Sequence, residues 1–108
     1  EQVNTNDEFG RVMVDNLEKR GLRLPGLAAS DSVETQLRRI KESGFSHGFI
    51  CTMHEAYEKL LPANERKRVE AIELLDEMEL LRQLNDHYSI SYAVKDDGKA
   101  IDWGQPEL

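Results

Sequence analysis

Hydrophobic residues recur at three- and four-residue steps in several stretches of the chain, which predicts helices that each bury one face. The first stretch follows Asn6 or Asp7, either of which can cap a helix that runs to about Lys19. Gly21 is then placed to end it, because glycine readily adopts the left-handed conformation found after a helix. The predicted inner face comprises Phe9, Val12, Met13 and Leu17, of which Phe9 and Met13 are expected to pack against a sheet.

A second helix is predicted after a connecting loop, 22–30, that contains Pro25-Gly26. Asp31 or Ser32 can cap it, and Gly44 ends it. Its apolar side carries Val33, Leu37 and Ile40, and its opposite, predicted outer side carries Gln36, Arg38, Arg39 and Lys41.

Two stretches alternate larger with smaller residues, as expected of strands. The larger residues of the first, 45–53, are His47, Phe49, Cys51 and Met53; those of the second are Tyr88, Ile90, Tyr92 and Val94. After the second, Asp97-Gly98 predicts a tight turn, and 100–103 can pair back as a short edge strand. Residues 96–108 are therefore expected to form a hairpin and a tail.

Two further helices are predicted from local signals. Thr52 and Glu55 match a capping box, so a short helix should follow and end at Pro62. The longest predicted helix then runs from about Asn64 to Asp86 on its repeat of hydrophobic residues. Its middle is acidic, with Glu70, Glu73, Glu77 and Glu79 close together.

Composition indicates one small, acidic domain with many charged residues. The 108 residues include 14 Lys plus Arg and 21 Asp plus Glu, for a formal net charge of −7. We expect a single segment, 1–108, that binds neither nucleic acid nor membrane, because an acidic chain repels phosphates and no stretch approaches the roughly 18 apolar residues of a membrane span. The lone Cys51 favours an intracellular setting, and a first residue other than Met suggests a fragment.

Few residue clusters suggest chemistry on their own. His47, Cys51 and His54 have the spacing of metal ligands on a strand, but a fourth ligand is missing, and no acid is placed to orient a nucleophilic cysteine. Buried or surface structural roles are the favoured interpretation of these three residues. The scattered glycines form no Gly-x-Gly phrase or phosphate-binding loop, so the residues alone predict no nucleotide or metal site.

A series of phrases nevertheless resembles one family. The phrases are Glu1-Gln2-Val3-Asn4, then Asp7-Glu8-Phe9-Gly10 with Val12-Met13, then Leu74-Leu75-Asp76-Glu77-Met78-Glu79-Leu80-Leu81, and His87-Tyr88. In this order, from Glu1 to about Val94, they resemble the C-terminal third of the leucine carboxyl methyltransferases.

The resemblance implies an α/β fold: the last part of a doubly wound, S-adenosylmethionine-dependent methyltransferase, with helices on a small, partly antiparallel sheet. It also implies the activity. Members of the family esterify the C-terminal leucine carboxylate of the protein phosphatase 2A catalytic subunit, whose tail is the expected partner, in the cytoplasm. Since a carboxylate is already a nucleophile at neutral pH, alignment with the methyl donor should suffice, and no catalytic general base is assigned.

In this fold, ligands bind beyond the carboxyl ends of the strands, and the resemblance puts Glu1 just past such an end. The expected substrate-facing residues are Glu1, Gln2, Asn4 and Asp7, although Asp7 has a competing role as a helix cap. The family's main cofactor contacts lie upstream of the resembling segment. We therefore expect this chain alone to bind no S-adenosylmethionine and to be inactive.

Two alternatives stay open. A related branch methylates a modified guanosine of phenylalanine tRNA during wybutosine synthesis, but the phrase around Leu75–Leu81 and the acidic charge favour the protein-methylating branch. The other alternative is a noncatalytic module whose acidic helix binds a basic protein. A fragment should expose a sheet edge and associate through it.

Overall fold

The computed structural model describes residues 1–74 and 76–95, which form helices around a small antiparallel sheet. The elements in chain order are α1 (Glu8–Lys19), a 3₁₀ turn (Leu27–Ala29), α2 (Val33–Glu42), β1 (His47–Thr52), α3 (Met53–Glu55) continuing as a π-helical turn (Ala56–Leu60), α4 (Ala63–Ile72), α5 (Met78–Asp86) and β2 (Ser89–Val94). The mixed helix and strand class predicted from the sequence is confirmed. The hairpin and tail expected over 96–108 lie outside the described residues.

The signals at helix ends produce the predicted boundaries. The carboxylate of Asp7 accepts a hydrogen bond from the Gly10 amide at 2.7 Å, which caps α1. Ser32 caps α2 in the same manner, with its hydroxyl accepting from the Thr35 amide at 3.0 Å. Gly21 and Gly44 have φ values of 74° and 84°, the left-handed conformation that terminates each helix.

The sheet places β2 between two other segments. β1 pairs with it antiparallel, with His47 opposite Val94 and Thr52 opposite Ser89. On the other side of β2, Gln2 forms an antiparallel bridge with Tyr88. Glu1–Val3 and β1 therefore run in the same direction, and both are antiparallel to β2, as expected for a partly antiparallel sheet.

Helix α2 packs on the face of β1 that carries the smaller residues. A Cβ added at Gly48 would lie 2.7 Å from Cγ2 of Ile40, so only glycine allows this close approach of helix to strand. On the opposite face of the sheet, the rings of Phe49 and Tyr92 stack with centroids 5.6 Å apart. The predicted alternation of larger and smaller residues along β1 is correct. Helix α2 approaches β1 closely at Gly48, which has no side chain.

The capping box that was predicted at Thr52 and Glu55 is present. Each side chain accepts a hydrogen bond from the backbone amide of the other residue, at 3.1 Å to the Thr52 hydroxyl and 3.0 Å to the Glu55 carboxylate. The helix widens into a π-helical turn and ends before Pro62, whose ring prevents continuation.

The prediction of one helix from Asn64 to Asp86 is wrong, because helix α4 ends at Ile72 and α5 begins at Met78. Glu73 is extended, with φ −145° and ψ 133°. In a continuous helix the acidic side chains would stand one turn apart, and like charges at that spacing destabilise a helix. Burial of apolar side chains at the end of α4 does not offset this repulsion, since Ile72 is 71% exposed.

The core of the described residues is small and contains many polar groups. Its buried hydrophobic residues are Val3, Ile50, Cys51 and Val94, and its buried polar residues are Ser30, Gln36, Thr52, His87 and Ser89. The placement of Gln36 on the outer side of α2 is therefore wrong, because this side chain is only 1% exposed. A glutamine can be buried at little cost when its amide group is fully hydrogen-bonded.

Candidate functional site

The predicted site residues lie in a segment that we call the seam, residues 1–7, which joins helix α2, the end of α5 and the start of β2. Its backbone is held by the Ser89 amide, which donates to the Glu1 carbonyl at 2.7 Å, and by the Val3 amide, which donates to the His87 carbonyl at 3.0 Å. Val3 is completely buried beneath these contacts. The seam is thus fixed to residues more than 80 positions away in sequence.

Gln36 connects the seam to the core. Its side-chain NH₂ group donates to the Gln2 carbonyl at 2.9 Å and to the Ser30 carbonyl at 3.0 Å. Its side-chain oxygen accepts from the Ser89 hydroxyl at 2.8 Å. One buried amide group therefore links three separate segments of the chain, and its bonds to Ser30 and Ser89 are buried from water.

Asp7 and His87 form the second connection. Nε2 of His87 lies 2.7 Å from both carboxylate oxygens of Asp7, and Nδ1 lies 2.6 Å from the Gln83 carbonyl. Both ring nitrogens thus face oxygen atoms, and which nitrogen donates depends on the tautomer of the ring. Partial burial opposes ionisation of Asp7, but the Gly10 amide and His87 outweigh it and hold the pKa of this carboxyl below its ordinary value. The ring of Phe9 packs against the ring of His87, with the two ring centroids 4.5 Å apart.

Asn4 and Glu1 complete the seam. Asn4 has a φ of 56°, a left-handed conformation that asparagine tolerates better than most residues. Its side-chain nitrogen donates to the Asp86 carbonyl at 2.7 Å, so the turn is tied to the end of α5. The Glu1 carboxylate forms an exposed ion pair with Arg39 at 2.6 Å.

The structure therefore places all four predicted site residues, Glu1, Gln2, Asn4 and Asp7, along the same seam, each bonded to another element. A neighbouring cleft of about 500 Å³ is lined by Thr5, Asn6, Arg11, Val14, Asp15, Arg23, Leu24, Pro25, Leu27, Ala28 and Asp31, and by none of the four. The role of Asp7 as a helix cap is confirmed. Contact of these four side chains with a substrate stays a prediction.

The sequence interpretation did not identify Gln36, His87 or Ser89 as members of this network. Gln36 sits among charged residues in the sequence, and nothing nearby signals that it is buried. The only available signal was His87 itself, since a histidine directly after a predicted helix and before a predicted strand is well placed to bond carbonyl groups at the helix end.

The three residues with metal-ligand spacing have separate surroundings. Cys51 is buried in the sheet, and burial, assisted by the charge of Glu55, raises the pKa of its thiol, so it is a poor nucleophile at neutral pH. His47 is exposed, and His54 lines a cleft with Tyr57 and Arg82. Within residues 1–74 and 76–95, no group of three or more His, Cys, Asp or Glu is arranged to hold a metal ion.

The glycines test whether the described residues could cradle a nucleotide-like cofactor. A Cβ at Gly10 would lie 2.5 Å from Cα of Thr5, and at Gly48 the neighbouring Ile40 fills the space. Gly21, Gly26 and Gly44 border open space and belong to turns or helix ends. The close approaches that Gly10 and Gly48 allow are thus made by the chain itself.

Comparison with known proteins gives the class. No protein-family model matches the chain. Curated relatives named leucine carboxyl methyltransferase 1 match it at 44% identity in Bos taurus, over 88% of this chain, and at 33% identity in Arabidopsis thaliana, over 89%. The tRNA wybutosine-synthesizing protein 4 of Rattus norvegicus is 34% identical over 90% of the chain.

By sequence, then, the chain is related to methyltransferases. More narrowly, it is similar to a segment of the leucine carboxyl methyltransferases, since it spans 28% of the length of the bovine relative and 14% of the wybutosine protein. The predicted family resemblance is confirmed. Separately, none of the helices within the described residues is long and apolar enough to cross a membrane.

Proposed function

We propose that this chain is part of an S-adenosylmethionine-dependent methyltransferase that esterifies the C-terminal leucine carboxylate of the protein phosphatase 2A catalytic subunit in the cytoplasm. The observation that carries the proposal is the identity of 33–44% with leucine carboxyl methyltransferases from animals, a fungus and a plant. Their name denotes methyl transfer to a leucine carboxyl group. The match to the wybutosine protein covers a similar share of the chain. Its identity of 34% is exceeded by that of several leucine carboxyl methyltransferases.

Within such an enzyme, the seam would form one wall of the substrate pocket. Its backbone is fixed by contacts to α2, α5 and β2, so Glu1, Gln2 and Asn4 would be presented from a rigid support. Rigid support matters here because alignment of a carboxylate with a methyl donor needs positioning more than proton transfer. We assign no general base, and we propose that the cofactor binds mainly to residues other than those of this chain.

A segment exchange tests the proposal. The matching segment of the bovine leucine carboxyl methyltransferase 1 would be replaced by residues 1–95 of this chain, and transfer of a labelled methyl group to a leucine-terminated peptide measured. We expect base-labile methylation of that peptide, and none of the same peptide with an amidated terminus. A folded chimera that binds S-adenosylmethionine but leaves the carboxylate peptide unmodified would overturn the proposal.

Cofactor binding by the chain itself is a second, separate measurement. Calorimetric titration of the 108-residue chain with S-adenosylmethionine should show no binding, because the family resemblance places the main cofactor contacts upstream of the matching segment. Saturable binding by the isolated chain would show that the cofactor site has been assigned to the wrong part of the enzyme.

A further inference from the structure

The break between α4 and α5 borders an exposed surface feature that is separate from the seam. We call it the acidic groove: a cleft of about 340 Å³ lined by Glu73, Leu74, Asp76, Glu77, Leu80, Leu81 and Leu84. Leu74 is 86% exposed, Leu80 53% and Leu84 43%. Single exposed leucines are common, but several that share one groove with a polar rim are typical of a binding surface.

Among the described residues, no ion pair neutralises the carboxylates on the rim. Glu73, Asp76 and Glu77 form no ion pair within residues 1–74 and 76–95, although Glu65 on α4 and Asp86 on α5 do. Glu65, for example, pairs with Arg68 on the exposed side of α4. The groove therefore combines uncovered leucine side chains with uncompensated negative charge, and a partner that complements both must carry apolar and basic groups.

We propose that the acidic groove docks a basic amphipathic helix of another protein, with leucine-sized side chains inserted between Leu74, Leu80 and Leu84 and flanking Lys or Arg side chains paired with the rim. Leu80 and Leu84 stand one turn apart on α5 and form a ridge, which suits the groove between side chains of a second helix. The inference is independent of the proposed methyltransferase activity.

A second copy of this chain fits the groove poorly. A symmetric dimer would bring the same patch of each copy together, so the rim carboxylates of Glu73, Asp76 and Glu77 would face their equivalents. Like charges across an interface oppose association. Charge complementarity thus favours a different, basic partner.

The test uses the full chain and a fluorescein-labelled helical peptide of leucine and lysine, about 14 residues or roughly four turns long. A matched peptide with glutamate in place of lysine controls for charge. Fluorescence anisotropy should show saturable binding of the lysine peptide that weakens as salt is raised, with no binding of the glutamate peptide. Equal binding of both peptides would overturn the proposal.

Variants of the chain locate the binding. Leu74→Ser combined with Leu80→Ser should weaken binding about tenfold, as should neutralisation of the rim by Glu73→Gln, Asp76→Asn and Glu77→Gln. Leu22→Ser and Glu42→Gln are matched controls, since Leu22 is 52% exposed and both residues lie away from the groove. Leu74→Ser alone should weaken binding severalfold, and at 86% exposure it leaves the fold intact even if the double variant does not fold.

Two results would contradict the proposal. One is an equal loss of binding in the control variants, which would indicate nonspecific attraction to an acidic chain. The other is self-association of the unmodified chain in sedimentation experiments that Leu74→Ser abolishes, because the occupant would then be a second copy.

Discussion

The buried side chains that bond to the seam, Gln36 and His87, are polar, whereas the side chains left in water in the acidic groove are mainly leucine. Gln36 and His87 are 1% and 4% exposed and bond across long sequence separations. Leu74 and Leu80, which precede His87 in the same part of the chain, are more than half exposed. The two regions thus reverse the usual assignment of polar residues to the surface and apolar residues to the core.

The difference shows that the two kinds of surface are suited to different tasks. Hydrogen bonds are directional, so the seam fixes one arrangement of Glu1–Asp7 against α2, α5 and β2. The hydrophobic effect is non-directional, and exposed leucines favour any partner that covers them. We therefore expect substitutions in the seam to affect the free energy of unfolding, and substitutions in the groove to affect association.

Gln36→Ala should have the largest effect on stability. It removes the amide bonded to Gln2, Ser30 and Ser89 and leaves buried polar groups without partners. We expect the free energy of unfolding in urea to fall by about 3 kcal/mol. Gln83→Ala is the matched control, because that side chain is exposed, and it should change stability by less than about 0.5 kcal/mol. Equal effects of the two variants would show that the network contributes little.

Asp7→Asn should have a smaller effect that depends on pH. Asparagine can still accept from the Gly10 amide, so the variant loses only the charge that faces His87, about 1 kcal/mol for this partly exposed carboxylate. The pKa of Asp7 is lowered by folding, so its stabilisation is fully present above the ordinary value of 3.8 and is lost as pH falls through the folded pKa.

In urea unfolding, the difference in free energy of unfolding between wild type and Asp7→Asn should therefore be constant near neutral pH. This difference should decrease below about pH 4. Asp15→Asn, on the exposed side of α1, serves as a control for loss of one negative charge. A difference that is independent of pH down to about pH 2 would show that ionised Asp7 does not stabilise the fold.

Leu74→Ser should have the smallest effect on stability. Because the side chain is 86% exposed, little apolar surface is lost from the core, and the unfolding free energy should change by less than about 0.5 kcal/mol. Val3→Ser, at a position with no exposure, is the contrasting substitution and should destabilise by roughly 2 kcal/mol or more. If the two substitutions changed the stability to thermal unfolding by similar amounts, the seam and the groove would not differ in their contribution to stability.

Local signals were sufficient for most elements of the fold. The caps at Asp7 and Ser32, the glycines at 21 and 44 and the capping box at Thr52 all act within one helical turn, so the sequence alone predicts them. The break between α4 and α5 was not predicted, because a hydrophobic repeat does not show whether its residues find a partner to pack against. Here Ile72 and Leu74 do not become buried.

The seam was predictable only in part. Family resemblance directed attention to Glu1–Asp7, and the capping signal at Asp7 was readable locally. The partners of these residues, Gln36 and His87, lie 34 and 80 residues away from Gln2 and Asp7, respectively, and pair with them only through the tertiary fold. Helical periodicity placed Gln36 outside, and a buried polar residue of this kind has no pattern of its own in the sequence.

The pairing of Glu1–Val3 with the start of β2 also has a consequence for the time course of folding. Glu1 and Ser89 are 88 positions apart, and contacts between such distant residues require closure of a long loop, which slows folding. During synthesis the seam residues precede their hydrogen-bonding partners at 86–89 by more than 80 positions. Pairing with 87–89 covers backbone groups of Glu1–Val3 that would otherwise form an open strand edge.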